Sequence, residues 1–291
     1  MKIGIVASDK AEWHVKRLLT ELEKHGVESY LLPVTRIQSK VGIKPKISVK
    51  GYGIDDYDAV IVRRVPGGTV EQVIYRMDAL NKLEEMGVKV VNPVKSIEKT
   101  VDKYMTSALL ESAGFRTPKT IVTESFTEAM KAFKDLGGDV VVKPLFGSLG
   151  LGMTRVTNPE VAYRVFRALE MTNSVYYLQE FIQHPGEDFR IFVLGSSVIA
   201  SMRRVAKGWK TNISGGGKPE PYKPSDEIAE ISIKAAQVLG LIYTGVDVIV
   251  SESGIPYVIE LNSTPGWEGL QSVNSVDIAA ALVDHVLALL K

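Results

Sequence analysis

Residues 245–270 read GVDVIVSESGIPYVIELNSTPGWEGL. Two runs of branched apolar residues, 245–250 and 256–261, flank the turn-forming sequence Ser251-Glu252-Ser253-Gly254. Apolar runs of this length on either side of a short polar turn are typical of an antiparallel β-hairpin. The sequence therefore predicts a hairpin near its C-terminal end.

Three polar side chains interrupt the apolar surface of this hairpin, namely Asp247, Glu260 and Asn262. Side chains alternate along a strand, so Glu260 and Asn262 share a face, and pairing of Val250 with Tyr257 would place Asp247 opposite Glu260. Like charges in such positions repel, and a divalent cation resolves the repulsion. Ligation by oxygen alone suits Mg²⁺ or Mn²⁺. The alternative is a solvated face whose acids meet water.

Composition limits the class of protein. The chain has 291 residues, of which 45% are hydrophobic and 24% charged, and its net charge is +1. The length and composition predict a globular protein of two or three lobes. The net charge close to zero does not indicate a nucleic-acid or membrane partner. The absence of cysteine excludes disulfides and thiolate chemistry and fits the cytoplasm. No apolar run approaches the length of a transmembrane helix.

The order of the predicted elements divides the chain into three parts. Strands alternate with helices up to residue 97, which predicts a parallel α/β domain. Residues 98–182 read as a compact β-α-β lobe that begins with one helix over residues 96–113, and residues 183–291 as an antiparallel lobe. Within them, residues 35–56 are expected to form a long loop or an edge ribbon, and residues 206–224 a mobile loop.

Ser8 and the pair Arg63-Arg64 follow predicted strands of the first domain. Open α/β sheets bind ligands at the carboxyl ends of their strands, so the arginines could hold an anionic substrate. An exposed basic loop is the alternative.

The run from Glu260 to Leu270, ELNSTPGWEGL, resembles the signature that closes the active site of RimK-type ATP-grasp ligases. That family has a strand Asp, then Glu-x-Asn, then a Pro-Gly loop of small residues. The resemblance covers nearly the whole chain. It implies an α/β (α+β) ATP-grasp fold with an N-terminal parallel α/β domain, a central β-α-β lid and a C-terminal antiparallel sheet domain.

The resemblance extends to the nucleotide site. The strand 141–144, VVKP, and the glycines that follow it are similar to the family's lid, and Gln179-Glu180-Phe181-Ile182 is similar to the hinge that holds adenine. Gly186-Glu-Asp188-Phe-Arg190 is similar to its Gly-x-Asp-x-Arg motif. Outside the family, these glycines would read as a flexible turn and the lysines as solvated surface groups. The ATP ligands implied by the resemblance are Lys103, Lys143, Gly147, Ser148, Gly150, Gln179, Glu180, Phe181, Ile182, Glu187, Asp188, Arg190, Arg203 and Lys210.

Three residues are expected to act in catalysis. Arg203 and Arg204 match the family's paired arginines at the γ-phosphate or acyl phosphate, and Asn212 lies in the Lys210-Thr-Asn sequence of the loop that closes over substrate. The sequence departs from the family here, because Ser214-Gly-Gly-Gly stands where RimK itself and the lysine-biosynthesis ligases have Arg-Gly-Gly. This departure concerns the substrate and not the reaction.

The resemblance implies an ATP-dependent carboxylate–amine ligase that adds L-glutamate to an acceptor through an acyl phosphate. It also implies metal at Asp247, Glu260 and Asn262, with a two-ion arrangement bridged by Glu260. Archaeal α-L-glutamate ligases for tetrahydromethanopterin or the deazaflavin coenzyme are similar in length and in their Lys-Thr-Asn-Ile loop, so a small-molecule coenzyme is the expected acceptor, tetrahydromethanopterin first. Glutamylation of a ribosomal protein is the alternative. A protein of a different class, either a small-molecule kinase or a non-catalytic nucleotide-binding module, is the other interpretation. Four subunits are common among relatives, and the sequence leaves homo-oligomer formation open.

Overall fold

The computed structural model describes residues 1–147 and 150–291. Its N-terminal part contains a four-stranded parallel sheet of order β2-β1-β6-β7. The elements of this part are β1 (Lys2–Val6), α1 (Trp13–Lys24), β2 (Glu28–Leu32), β3 (Ile37–Ser39), β4 (Ile47–Val49), β5 (Tyr52–Gly53), β6 (Ala59–Val62), α2 (Val70–Glu85) and β7 (Lys89–Val91). The central strands β1 and β6 are apolar and buried, as the sequence predicts for a sheet covered on both faces.

The region 35–56 is neither a simple loop nor a two-stranded ribbon. Strands β3, β4 and β5 form a small antiparallel sheet. Ile47 and Val49 of β4 pack into the same core as the parallel sheet, because the strand turns its apolar side chains inward. The observed structure is therefore closer to the predicted edge ribbon than to the predicted long loop.

The helix predicted over residues 96–113 is wrong, because the structure divides it. Helix α3 (Val94–Val101) ends before Asp102, and α4 (Lys103–Ser112) begins after it. Asp102 has an extended backbone, and its carboxylate accepts a hydrogen bond from the backbone N–H of Met105 (3.1 Å). A short acidic side chain at this position caps the following helix and favours its start. Lys103 is therefore the first residue of α4.

A second sheet lies in the middle of the chain and is antiparallel, with order β10-β9-β11-β8. Its elements are β8 (Thr120–Thr123), α5 (Phe126–Asp135), β9 (Val140–Lys143), β10 (Thr154–Val156), α6 (Pro159–Met171) and β11 (Tyr176–Glu180). Helices α5 and α6 pack on the sheet around a core of their own that includes Phe133, Phe166 and Leu178. We call this unit the central sheet.

The C-terminal part is a five-stranded antiparallel sheet of order β14-β13-β12-β15-β16. Its elements are β12 (Glu187–Leu194), β13 (Ser197–Val205), β14 (Lys218–Pro221), α7 (Asp226–Leu239), β15 (Tyr243–Val250), β16 (Pro256–Asn262), α8 (Glu268–Ser272) and α9 (Ile278–Ala288). Strand β14 lies within the predicted mobile loop and pairs with β13, so that prediction is wrong for residues 218–221. Phe192 and Met202 face one core, whereas Ile191 and Val246 face the other beside α7.

The predicted hairpin is formed by β15 and β16, but its register differs from the expected one. Val250 pairs with Pro256 and Ile249 with Tyr257, and yet Asp247 still lies opposite Glu260. A β-bulge at Ile259 supplies the extra residue that reconciles the two. A bulge inserts one unpaired residue into one strand, and alternation alone does not reveal it.

Polar contacts fasten the hairpin to the N-terminal sheet. The buried Asn92 side chain follows β7, donates to the backbone oxygens of Tyr243 (2.8 Å) and Ser263 (2.6 Å), and accepts from the N–H groups of Ile242 and Tyr243. The buried guanidinium of Arg63 donates to Pro265 O (2.7 Å) and lies 4.4 Å from the centre of the Trp267 ring. Arg63 thus joins two parts of the molecule.

The assignment of domain boundaries at residues 97 and 182 stays a prediction. Helix α4, placed by that assignment in the central lobe, contributes Leu110 to the core beneath the C-terminal sheet. None of the helices in the described parts of the chain has the length and apolar character needed to cross a membrane.

Candidate active site

A cleft between the central sheet and the C-terminal sheet spans about 830 Å³, a volume that includes space open to solvent. Most of the residues singled out from the sequence line it. These are Lys103, Lys143, Gly147, Gly150, Gln179, Glu180, Phe181, Ile182, Asp188, Arg204, Lys210, Asn212, Asp247 and Glu260. Ser148, also predicted to bind ATP, lies outside the described residues.

The lysines of the cleft have only neutral hydrogen-bond acceptors among the described residues. Lys143 donates to the amide oxygen of Gln179 (2.6 Å), Lys103 to the carbonyls of Leu145 (3.3 Å) and Gly147 (2.8 Å), and Lys210 to Met153 O (2.6 Å). Burial lowers the pKa of Lys143 to about 8, and the nearby Glu260 carboxylate offsets this only in part. Burial also lowers the pKa of Lys103. These cations can therefore gain stabilisation from a bound anion.

Arg204, which lines the cleft, and Arg190, which does not, are in the opposite situation, because carboxylates already neutralise them. Arg190 binds Asp247 through two hydrogen bonds, and Arg204 binds Asp188 in the same way. Arg204 also lies 3.0 Å from Asp247 Oδ1. Burial alone would raise the pKa of the Asp247 carboxyl, but the charges of Arg190 and Arg204 hold it below its usual value. Asp188, Arg190, Arg204 and Asp247 thus form one buried ion-pair network.

Glu260 differs from its neighbour Asp247. Its carboxylate has no hydrogen-bond or ion-pair partner in the described parts of the chain, and it faces the cleft beside Lys103 and Lys143. The bulge explains this orientation, since Ile259 and Glu260 both line the cleft although they are consecutive. A free carboxylate opposite a second carboxylate fits a divalent cation.

Asn262 lies on β16 two residues after Glu260. Its side-chain oxygen accepts a hydrogen bond from Thr264 N (2.9 Å), and the residue does not line the cleft. Among the described residues, no three His, Cys, Asp or Glu side chains come together in a metal-sized group. A site here therefore needs oxygens from Asp247, Glu260 and Asn262 together with those of a substrate or water, a donor set that suits Mg²⁺ or Mn²⁺.

The structure separates the two neighbouring arginines of β13. Arg204 faces the cleft, whereas Arg203 points to the opposite face of the sheet and pairs with Glu187 (3.2 Å) and Glu220. Neither Arg203 nor Glu187 lines the cleft. The reason is the two-residue alternation of a strand, which keeps consecutive side chains apart. The expected pairing of Arg203 with Arg204 at one substrate group does not occur in this geometry.

The hinge after β11 presents backbone groups to the cleft. Glu180 pairs with Lys119 through backbone and side chain, and Phe181 N donates to Asp139 O (3.0 Å). In the described residues, the N–H of Ile182 has no hydrogen-bond partner. A backbone donor beside an apolar wall suits the edge of a planar base.

The loop between β13 and β14 closes one side of the cleft. Asn212 lies so close to Gly150 that a Cβ on this glycine would be 2.6 Å from the Asn212 side-chain oxygen. The side chain of Ile213 fills the space that a Cβ on Gly269 would need. The loop thus touches both the glycine-rich segment of the central sheet and α8.

Several lining residues were not among the predicted site residues, namely Pro118, Val141, Pro144, Leu151, Met153, His184, Trp209, Thr211, Ile249 and Ile259. Two of them carried a signal, because Val141 and Ile249 lie two residues from Lys143 and Asp247 and share their strand faces. Trp209 lies 6.1 Å from Phe181, ring centre to ring centre, in an edge-to-face arrangement. Ile259 carried no signal, since the bulge brings it to the cleft.

Of the three residues predicted to form an anion site in the N-terminal domain, two are exposed and one is buried. Arg64 and Ser8 are exposed at the carboxyl ends of β6 and β1, but Arg63 is buried against Trp267. None of the three lines the cleft described above.

Comparison with known proteins assigns the chain to a family. Residues 100–286 match the model of the RimK-like ATP-grasp domain, and residues 1–97 match the RimK PreATP-grasp domain. The tetrahydromethanopterin:α-L-glutamate ligase of Methanococcus maripaludis is 35% identical over 292 residues, which is 99% of this chain and 98% of that protein. A probable α-L-glutamate ligase of Aliivibrio fischeri is 34% identical over 295 residues, 98% of this chain and 95% of that protein.

Solved structures share the fold. The ATP-grasp ligase PsnB, in complex with a minimal precursor, Mg and ADP, superposes with a TM-score of 0.77 at 23% identity and covers 100% of this chain and 97% of its own. A RimK domain protein from Sphaerobacter thermophilus superposes with a TM-score of 0.78 at 20% identity, over 99% of this chain and 100% of its own. The chain therefore belongs to the RimK-like ATP-grasp family of ATP-dependent ligases.

Proposed function

We propose that the protein is a tetrahydromethanopterin:α-L-glutamate ligase. The observation that carries this proposal is the 35% identity to the Methanococcus maripaludis enzyme of that name, which extends over 99% of the chain. A cleft with unneutralised lysines and a free carboxylate is consistent with a substrate such as ATP, which brings both phosphates and metal. Such an enzyme works where ATP and glutamate are present, so we place it in the cytoplasm.

In this proposal the triphosphate binds at Lys103, Lys143 and Lys210, because these side chains have a positive charge and no carboxylate partner. Gly147 and Gly150 let the backbone approach the phosphates. The adenine lies against Phe181 and accepts a hydrogen bond from the free N–H of Ile182. The side chain of Asp188 is already bound to Arg204, so ribose binding there requires that contact to change.

Asp247, Glu260 and Asn262 are the proposed metal ligands and would hold Mg²⁺ or Mn²⁺. A bound divalent cation would neutralise the oxygens of the transferred phosphoryl group. Asp247 keeps its carboxylate ionised for this purpose through Arg190 and Arg204. The free carboxylate of Glu260 needs no rearrangement to bind a cation.

The proposed reaction has two steps. A carboxylate oxygen of the acceptor attacks the γ-phosphorus of ATP, and ADP leaves. The amine of L-glutamate then attacks the acyl carbon, phosphate leaves, and the amide loses a proton. Arg204 faces the cleft and, in this proposal, contacts the phosphoryl oxygens in addition to its partners Asp188 and Asp247. Arg203 has no part in the proposal because it faces away. The loop with Asn212 excludes water, which would otherwise hydrolyse the acyl phosphate.

The test is product formation from ATP, Mg²⁺ and L-glutamate with tetrahydromethanopterin, the deazaflavin coenzyme or a RimK-type ribosomal-protein tail. We expect phosphate release and a mass increase of one or more glutamates on tetrahydromethanopterin alone. Glutamate on one of the other acceptors would replace the proposed acceptor and keep the ligase. Phosphate transfer to an acceptor without glutamate would identify a kinase. A parallel reaction without glutamate is the control.

The pKa of Lys143 predicts how ATP affinity depends on pH. Burial lowers this pKa to about 8, against the opposing effect of Glu260 and Asp247 and together with the positive charge of Lys103. The cationic form binds phosphate, so affinity is full only well below pH 8 and falls as the pH rises through 8 and the free protein loses this proton. Between pH 7 and pH 9 we expect ATP affinity to fall roughly tenfold, with proton uptake on binding near pH 8.

Calorimetry in buffers of different ionisation enthalpy measures both quantities. The Lys143→Met variant is the control, since it binds more weakly but has no ammonium to titrate. An equal pH dependence in the variant and the unaltered protein would contradict the assignment of Lys143 to the phosphates.

A further inference from the structure

Gln179 makes its hydrogen bonds inside the protein. It lies on β11 at the base of the cleft and is only 3% exposed. Its Oε1 accepts from Lys143 Nζ (2.6 Å), and its Nε2 donates to Thr120 Oγ1 (3.1 Å) and Tyr177 OH (3.3 Å). The orientation of the amide follows from chemistry, because an ammonium group only donates and must therefore meet the oxygen.

These contacts leave Gln179 no N–H group for a nucleotide. A primary amide has two N–H donors, and Thr120 and Tyr177 occupy both. The exocyclic amine of adenine needs an acceptor and its ring nitrogens need donors. The backbone of the hinge, with the free N–H of Ile182, is better placed to recognise the base than the side chain of Gln179.

The network around Gln179 connects Lys143 to α4, the helix that begins with Lys103. Tyr177 OH lies 2.9 Å from Ser107 Oγ, and Ser107 lies on α4 about one turn after Lys103. The chain of hydrogen bonds therefore runs from α4 through Tyr177 and Gln179 to Lys143 on β9. Buried networks in which every member is satisfied hold their side chains in one arrangement.

We propose that Gln179 is a positioning residue that acts through Lys143: it holds the ammonium group toward the phosphates without neutralising its charge. Because Gln179 is neutral, the phosphates are the first anion to bind this cation directly. A glutamate of the same shape would form an ion pair with Lys143 and compete with the nucleotide. This inference rests on the proposed binding of ATP in the cleft but not on the identity of the acceptor.

The test is equilibrium binding of ATP and of ITP, which differs from ATP only on the base. We expect Gln179→Glu to weaken binding of both nucleotides about tenfold, because the new carboxylate competes with phosphate for Lys143. The preference for ATP over ITP should stay unchanged. Gln237→Glu, the same change on the exposed surface of α7, is the matched control and should leave both affinities unaltered.

A double-mutant cycle tests whether the effect passes through Lys143. In a Lys143→Met background, Gln179→Glu should add less than a twofold change in ATP affinity, since the ion pair no longer forms. If Gln179→Glu does not fold, Gln179→Met takes its place: it loses the acceptor for Lys143 and should also weaken ATP and ITP equally. A loss of the preference for ATP, unchanged affinities, or a tenfold effect that persists without Lys143 would each overturn the proposal. Failure of the unaltered protein to bind ATP would instead refute the proposed function.

Discussion

Replacing Glu260 with glutamine is expected to lower turnover by about a thousandfold while the protein stays folded. The carboxylate of Glu260 faces the cleft and has no protein partner among the described residues, so its charge is free to hold a cation and contributes little to the fold. Glutamine keeps the shape and removes the charge. Release of phosphate and formation of the glutamylated product measure turnover, and a thermal melt measures folding.

Glu252→Gln is the matched control for this substitution. Glu252 lies in the exposed turn of the same hairpin, away from the cleft, and the change there should leave turnover unaltered. If Glu260→Gln retained most of its activity, the assignment of metal to this hairpin would be withdrawn. Cation titration of the folded variant gives a second readout, because metal affinity should fall along with turnover.

Replacing Asp247 with alanine is expected to destabilise the fold by about 3–5 kcal/mol, in addition to abolishing activity. Asp247 is 4% exposed and binds two buried arginines, Arg190 and Arg204. Removing it leaves Arg190 with no other ion-pair partner among the described residues. A buried charge without a partner is far more costly than the pair is stabilising. Urea unfolding measures this loss as a lower midpoint.

The matched control is Glu230→Ala, which breaks an exposed ion pair with Lys234 on α7. Such surface pairs contribute little to stability because solvent screens them, so this variant should unfold close to the unaltered protein. If Asp247→Ala lowered the free energy of unfolding no more than Glu230→Ala does, the arginine network would not depend on Asp247. The two acids of the hairpin should therefore differ, since one affects stability and activity and the other activity alone.

The sequence predicted the fold well where a pattern of apolar residues or a contiguous motif is sufficient to define it. Apolar runs separated by helices predicted the parallel sheet, and the motif from Glu260 to Leu270 identified the family. Features that depend on local backbone geometry were harder to predict from the sequence. The helix break at Asp102 needed its cap to be recognised, and the bulge at Ile259 leaves no mark in the alternation of side chains.

The candidate site likewise contains some features that the sequence could have predicted and others that it could not. The resemblance placed Arg203 and Arg204 together, although alternation along β13 assigns them to opposite faces and could have separated them from sequence alone. Alternation along β11 places Tyr177 on the same face as Gln179, but the partners of Gln179 on other strands could not be predicted. They come from β8 and β9, and only the three-dimensional arrangement brings Thr120 and Lys143 to either end of one amide.

The contacts of Asn92 and Arg63 determine which parts of the molecule are free to move. Asn92 connects the N-terminal sheet to β15 and to the end of β16, and Arg63 connects it to the loop that follows. Opening the molecule between these parts would break the hydrogen bonds of the buried Asn92 amide and those that the buried Arg63 guanidinium makes through its terminal nitrogens. The central sheet has its own apolar core and is free of this constraint. If ATP binds in the cleft as proposed, we therefore expect the central sheet to move relative to the other two sheets when the nucleotide enters or leaves.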